Sequence, residues 1–136
     1  MTTSLVTAIV STTILAGMIF VLGANVSRMR GVTAKQGGSQ MPVDPSSPLL
    51  RAIRAHGNAS EYVPALLVLI LLVGLRSPVW VAVPLIIGAT VGRLLHAYGM
   101  LTSHSLAERS RWRETGAGLT YLFGVGLAVA VAVSLL

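Results

Sequence analysis

The first 27 residues, MTTSLVTAIVSTTILAGMIFVLGANVS (1–27), contain no charged side chain. A transmembrane helix needs about 20 predominantly apolar residues, so this segment is long enough to cross a bilayer. It begins without basic residues, and its apolar stretch is longer than the roughly 7–15 residues of a signal-peptide core. We therefore expect a permanent first transmembrane helix rather than a cleaved signal.

Three further uncharged runs follow, at residues 62–75, 77–92 and 115–136. Hydrophobic residues make up 54% of the chain and charged residues 10%, whereas a soluble domain carries roughly 25% charge. The helices of a soluble bundle would have one polar face, but these runs are apolar all round. The sequence predicts an all-α, integral membrane four-helix bundle in a single domain over residues 1–136. The predicted up-down-up-down helices are at about 4–27, 49–75, 78–100 and 112–135.

Basic residues are concentrated in two of the predicted loops. One cluster lies between the first two apolar runs and a second, Arg109, Arg111 and Arg113, precedes the last run. The positive-inside rule places both basic loops in the cytoplasm and both termini outside, in what we expect to be a bacterial inner membrane. The net charge of +6 is then a topology signal that anionic lipid headgroups reinforce, and no nucleic-acid partner is expected.

Polar side chains recur on one face of the predicted second helix. They are Arg51, Arg54, Asn58 and Glu61, at successive spacings of three, four and three residues. Such spacings place side chains on the same helical face. The predicted third helix adds a second pair three residues apart, Arg93 and His96. Ionisable groups within reach of hydrocarbon point inward and have partners, so these residues are the candidate site.

Two interpretations of this cluster stay open. The first is structural: an ion pair between Arg93 and Glu61 braces the helices. The second is a binding site, because arginine donates in a fork that suits carboxylates and a glutamate accepts from an ammonium group. The combination would suit a small zwitterionic ligand that is mostly anionic.

The sequence resembles the MAPEG family, the membrane-associated proteins in eicosanoid and glutathione metabolism. The similarity rests on three segments: Arg54-Ala-His56-x-Asn58-x-x-Glu61, Arg93-x-x-His96 and Arg109-Ser110. It spans all four predicted helices and indicates a bacterial member. The resemblance implies a left-handed bundle that forms a homotrimer, with glutathione in a cleft between subunits that opens towards the cytoplasm.

The resemblance also implies residue roles. The expected glutathione-binding residues are Arg28, Arg54, Asn58, Glu61 and His96. Arg109 would lie near the glutathione sulfur, and Ser110 would hydrogen-bond the thiol. A cation and a donor lower the pKa of a thiol, so that the thiolate attacks a lipophilic electrophile or a peroxide. The competing interpretation of Ser110 is an N-cap of the fourth helix.

The chain departs from the family pattern at two positions. Met100 replaces a tyrosine that packs on glutathione, and Gly57 replaces a basic residue. A non-enzymatic alternative therefore stays open, namely a trimeric scaffold or a protein that binds lipid or small molecules. A proton-coupled exporter would have a lone carboxylate deep in a helix, which Glu61 is not. The chain has no cysteine, and its histidines lack metal-ligand spacing, so no metal site is expected.

Overall fold

The protein is a bundle of four helices, as seen in a computed structural model that describes residues 1–135. The helices are α1 (Thr3–Lys35), α2 (Pro48–Arg76), α3 (Val79–Thr102) and α4 (Arg111–Val133). Each is long and apolar enough to cross a membrane, and the part of the chain described contains no strand. The predicted all-α membrane bundle is therefore confirmed. Residue 136, the end of the last predicted apolar run, lies outside the described residues.

The starts of α1, α2 and α4 follow from local sequence. Thr2, Ser47 and Ser110 cap α1, α2 and α4, because each side-chain oxygen accepts a hydrogen bond from a backbone N–H in the first turn. Such caps satisfy donors that a helix otherwise leaves unpaired. Helix α1 runs eight residues past its predicted end at residue 27, so Arg28 is helical. Its polar last turns project beyond the span, since 33 residues extend about 50 Å at 1.5 Å per residue.

The loop between α1 and α2 and the loop between α3 and α4 meet at one end of the bundle. The Leu106 N–H donates to the Pro45 carbonyl at 2.9 Å, and Arg51 Nη1 donates to the Ser103 carbonyl. Helices α2 and α3 turn back at the other end across Ser77 and Pro78. Both basic loops therefore lie at the same end, next to the polar turns of α2 and α3.

Glycines let the backbones of α3 and α4 pack in direct contact with each other. A Cβ atom on Gly92 would lie 2.9 Å from the Thr120 nitrogen. On Gly99 it would lie 2.9 Å from the Arg113 Cα, and on Gly116 it would meet the backbone of His96. Small residues permit close packing of helices in lipid. This contact sets the register between α3 and α4. It thereby also sets the relative positions of the neighbouring side chains on the two helices.

Candidate functional site

Arg93 is the buried centre of the polar network. Its side chain is on α3 with 1% exposure, and Nη2 donates to Asn58 Oδ1 at 2.9 Å. Its guanidinium carbon lies 5.2 Å from the centre of the Tyr62 ring, within cation–π range. Arg93 is thus held by an amide and an aromatic ring, both from α2.

The predicted Arg93–Glu61 brace is wrong within the protomer. Glu61 is exposed, and the one salt bridge among residues 1–135 joins Arg109 to Glu114. Helical geometry explains the difference. At 100° per residue, Glu61 lies about 60° around α2 from Asn58, which is enough to carry the carboxylate out of the α2–α3 contact. Asn58 takes the position that the brace assigned to Glu61.

Tyr62 and Tyr121 extend the network to α4. Their hydroxyl oxygens are 3.1 Å apart, and their rings pack with centroids 5.8 Å apart. The sequence interpretation did not include this pair. A tyrosine hydroxyl can both donate and accept, so either hydroxyl of the pair can donate to the other.

His96 ties α3 to the first turn of α4. The ring is 8% exposed, and Nδ1 lies 2.9 Å from the Arg113 carbonyl oxygen. A carbonyl can only accept, so Nδ1 carries the proton and donates it. This assigns the tautomer of the neutral ring and leaves Nε2 with its lone pair.

We call the space bordered by His96 and Arg113 the polar cleft. It has a volume of about 270 Å³ and is lined by Arg54, Asn58, His96, Met100, Leu106 and Arg113. Three predicted ligand-binding residues, Arg54, Asn58 and His96, therefore meet in one place. Met100, which replaces a tyrosine of the family pattern, forms part of the wall.

Arg113 is a cleft residue that the sequence interpretation missed. Its guanidinium donates to the Leu106 carbonyl at 3.3 Å and to the Glu108 carbonyl at 2.7 Å. These bonds hold the loop before α4 against the cleft. In sequence, Arg113 is one of three evenly spaced arginines, and nothing local distinguishes it. The approach of the Gly99 and Arg113 backbones, which only the fold reveals, brings it to the cleft.

Arg28 lies in a second space, which we call the basic groove. The groove has a volume of about 410 Å³, and its polar lining residues are Asn25, Arg28 and Arg51. Arg28 Nη2 donates to Asn25 Oδ1 at 2.9 Å. The predicted glutathione-binding set is therefore divided within one protomer: three members line the polar cleft, Arg28 lines the basic groove, and Glu61 lies outside both.

Arg109 and Ser110 do not line the polar cleft of their own protomer. Ser110 accepts a hydrogen bond from the Arg113 N–H at 3.5 Å, so its role here is the N-cap of α4. The Arg109 side chain is 89% exposed and pairs with Glu114 at 2.8 Å. A side-chain hydrogen bond from Arg109 to Glu114 and their opposite charges raise the pKa of Arg109 above its ordinary value.

The lining of the polar cleft favours an anionic ligand. Two guanidinium groups and an amide converge there, and guanidinium groups pair with carboxylates. In residues 1–135, no group of three or more His, Cys, Asp or Glu side chains could hold a metal ion.

Comparison with known proteins places this chain in a family. The MAPEG family model matches residues 8–133. The chain is also similar to an "Inner membrane protein YecN" in two strains of Escherichia coli, K12 and O6:H1. Both relatives are 40% identical over 76 residues, which cover 55% of this chain and 54% of theirs. The aligned part thus spans about half the length of these curated relatives.

No solved structure matches the chain. The family match, by contrast, covers all four helices, from the second turn of α1 to the last residue of α4. The similarity to the MAPEG pattern in α2 and α3 is thereby confirmed, and the chain belongs to the MAPEG family.

Proposed function

We propose that this membrane protein is a glutathione-dependent transferase or peroxidase that acts on lipophilic electrophiles through a stabilised thiolate. The observation that carries the proposal is the polar cleft, where Arg54, Asn58, His96 and Arg113 converge at the basic end of the bundle. Glutathione has two carboxylates for the arginine forks. A lipophilic second substrate would arrive from the surrounding bilayer.

A homotrimer would complete the divided site. Arg28, Glu61 and Arg109 are exposed on the protomer. Glu61, on the membrane helix α2, forms no salt bridge among the described residues, and an exposed charge at the level of a membrane helix is costly without a partner. In a trimer, all three residues would face the polar cleft of a neighbouring subunit. In this arrangement the guanidinium groups of Arg28 and Arg109 lie next to the glutathione bound by the neighbouring subunit. Glu61 accepts a hydrogen bond from the glutathione ammonium group. Ser110, next to Arg109, would hydrogen-bond the thiol.

Native mass spectrometry of the detergent-solubilised protein tests this assembly. We expect a trimer, because the proposed ligand needs residues that one protomer keeps apart. Reversing the charge of Glu61 with Glu61→Lys should shift the population towards monomers. Glu108→Lys, an exposed carboxylate in the loop before α4, is the matched control. A wild-type monomer or two-fold dimer would remove the basis for a shared cleft.

We further propose the bacterial inner membrane as the location, with the basic loops in the cytoplasm. The similar Escherichia coli proteins are named as inner membrane proteins, and both basic loops lie at one end of the bundle, as the positive-inside rule requires. The cleft would then open towards cytoplasmic glutathione. A reporter fused behind α4 would report an external C-terminus, and a cytoplasmic signal would reverse the orientation.

One observation favours a second function. Met100 contributes to the cleft wall, and nothing lies within 4 Å of the position that a Cβ atom of Gly57 would occupy. Two contacts of the family pattern with glutathione are thus absent. A trimeric scaffold that binds lipid or another small molecule through the same arginines is the alternative.

An arginine series with a thiol-reactive aryl chloride tests the proposed catalysis. We expect Arg109→Ala to lower glutathione-dependent turnover by roughly tenfold, equivalent to about 1.4 kcal/mol, because it removes a cation close to the thiolate. Thermal stability should be unchanged, since Arg109 is exposed. Arg113→Ala should lower both turnover and thermal stability, because it also releases the loop carbonyls of Leu106 and Glu108.

Arg111→Ala is the matched control, because Arg111 is exposed and lines neither the polar cleft nor the basic groove. Equal effects of all three substitutions would indicate that the arginines only anchor the loop. A wild-type protein that shows no thiol-dependent turnover with aryl chlorides or hydroperoxides, and no thermal shift with glutathione, would favour the scaffold.

A further inference from the structure

The polar side chains that line the polar cleft are mainly hydrogen-bond donors. The guanidinium groups of Arg54 and Arg113 can only donate. The oxygen of Asn58 accepts from Arg93 at 2.9 Å, so the Asn58 amide NH₂ is the part left for a ligand. The Leu106 carbonyl accepts from Arg113. A carboxylate is well served by these groups, but a thiol S–H that enters the cleft needs an acceptor.

His96 supplies that acceptor. Its Nδ1 proton is committed to the Arg113 carbonyl at 2.9 Å, so in the neutral ring the lone pair is on Nε2. Among the six residues lining the cleft, His96 provides the one side-chain nitrogen with a free lone pair. The backbone of His96 is packed against Gly116, which holds the ring in place.

We propose that His96 Nε2 is the catalytic proton acceptor for the thiol bound in the polar cleft. This assignment rests on the proposed function and gives His96 a chemical role beyond ligand binding. It requires no metal and no residue from a neighbouring subunit for the proton transfer itself.

The step is a proton transfer followed by addition. The S–H bond breaks, the proton moves to Nε2, and the electron pair stays on sulfur, which leaves a thiolate beside an imidazolium. With an activated alkene, the thiolate pair forms the new S–C bond and the alkene π pair moves to the neighbouring carbon. That carbon then takes the proton from Nε2, which restores the neutral ring and completes the adduct.

The charges around His96 act on both products of this transfer. Arg54 on α2 and Arg113 on α4 line the cleft, and Arg93 on the same helix as His96 is bonded to the cleft residue Asn58. All three are positive, so they stabilise the thiolate but disfavour an isolated imidazolium; the transfer therefore requires the adjacent thiolate to offset the new charge on His96. Because the proton stays inside the site, thiolate and imidazolium form together and the charge of the bound complex does not change.

Calorimetry on the wild-type protein tests the proposal without any substitution. Glutathione is titrated at pH 7 in two buffers of different ionisation enthalpy, while ultraviolet difference absorption measures the thiolate. S-methylglutathione, which has no thiol proton, is the control ligand. We expect thiolate absorption with close to no net proton release to the buffer.

Release of one proton per thiolate would show that the proton leaves the site and would overturn the role of His96. Binding without thiolate absorption would also overturn it. Failure of glutathione to bind at all would instead reject the proposed function.

His96→Asn provides a second test, because an asparagine amide can still donate to the Arg113 carbonyl but has no basic nitrogen. We expect glutathione affinity within about threefold of wild type and turnover at pH 7 lowered by about 100-fold, the low end of general-base effects. Turnover should recover as the pH approaches about 8.5, where a thiol ionises unaided.

The matched control is His56→Asn, which changes a half-buried histidine on α2 that does not line the cleft. It should retain wild-type turnover at each pH. A His96→Asn protein with wild-type turnover, or with a loss that is the same at every pH, would refute the assignment.

Discussion

Gly116→Ala should strongly destabilise the bundle. A Cβ atom at this position would meet the backbone nitrogen and Cα of His96 and would lie 2.8 Å from the Gly92 carbonyl oxygen. These are backbone atoms of α3, so no side-chain rotation can relieve the clash. Overpacking typically costs about 1–3 kcal/mol, and we expect the upper end here. The melting temperature in detergent should fall by roughly 10 °C.

Gly118→Ala is the control on the same helix. Nothing lies within 4 Å of the position that its Cβ atom would occupy, and alanine has a higher helix propensity than glycine. We expect wild-type stability. If Gly116→Ala were as stable as Gly118→Ala, the close approach of α3 and α4 would be wrong, and so would the position of His96 and Arg113 relative to each other.

Asn58→Leu should cause the second large loss of stability. Asn58 is the hydrogen-bonding side chain that faces Arg93, and Arg93 Nε is already buried without a partner. Removing the amide would leave a guanidinium with 1% exposure without a side-chain hydrogen bond. Leaving a buried donor without its hydrogen-bond partner costs about 1–3 kcal/mol, and more when the donor is charged. Thermal unfolding of the ligand-free protein measures the effect separately from glutathione binding.

Glu61→Gln is the comparison that separates the two candidate partners of Arg93. It removes the negative charge of Glu61, three residues after Asn58 on α2. Glu61 is exposed and forms no salt bridge with Arg93. We expect a much smaller change in the melting temperature than for Asn58→Leu. The reverse order of effects would restore the Arg93–Glu61 brace.

Much of the architecture was predictable from the chain alone. Two uncharged runs of spanning length, at residues 1–27 and 115–136, and two shorter ones extended by their polar flanks, at 62–75 and 77–92, predict the four helices. A backbone segment can cross a bilayer as a helix because its hydrogen bonds are then made within the segment. The caps at Ser47 and Ser110 follow from side chains that accept from first-turn N–H groups. The convergence of Arg54, Asn58 and His96 was also predictable, since helical spacing places polar residues on one face and lipid drives that face inward.

The chain alone could not identify the neighbours of these residues. Periodicity gives an angle around the axis of one helix, but it does not say which residue of a second helix lies opposite. The glycine contact between α3 and α4 sets that register. It brings Arg113 to the cleft and assigns the Nδ1 proton of His96 to the Arg113 carbonyl. In the same way, the packing of α2 against α3 makes Asn58, rather than Glu61, the partner of Arg93. These contacts depend on how whole helices pack, so only the tertiary structure decided them.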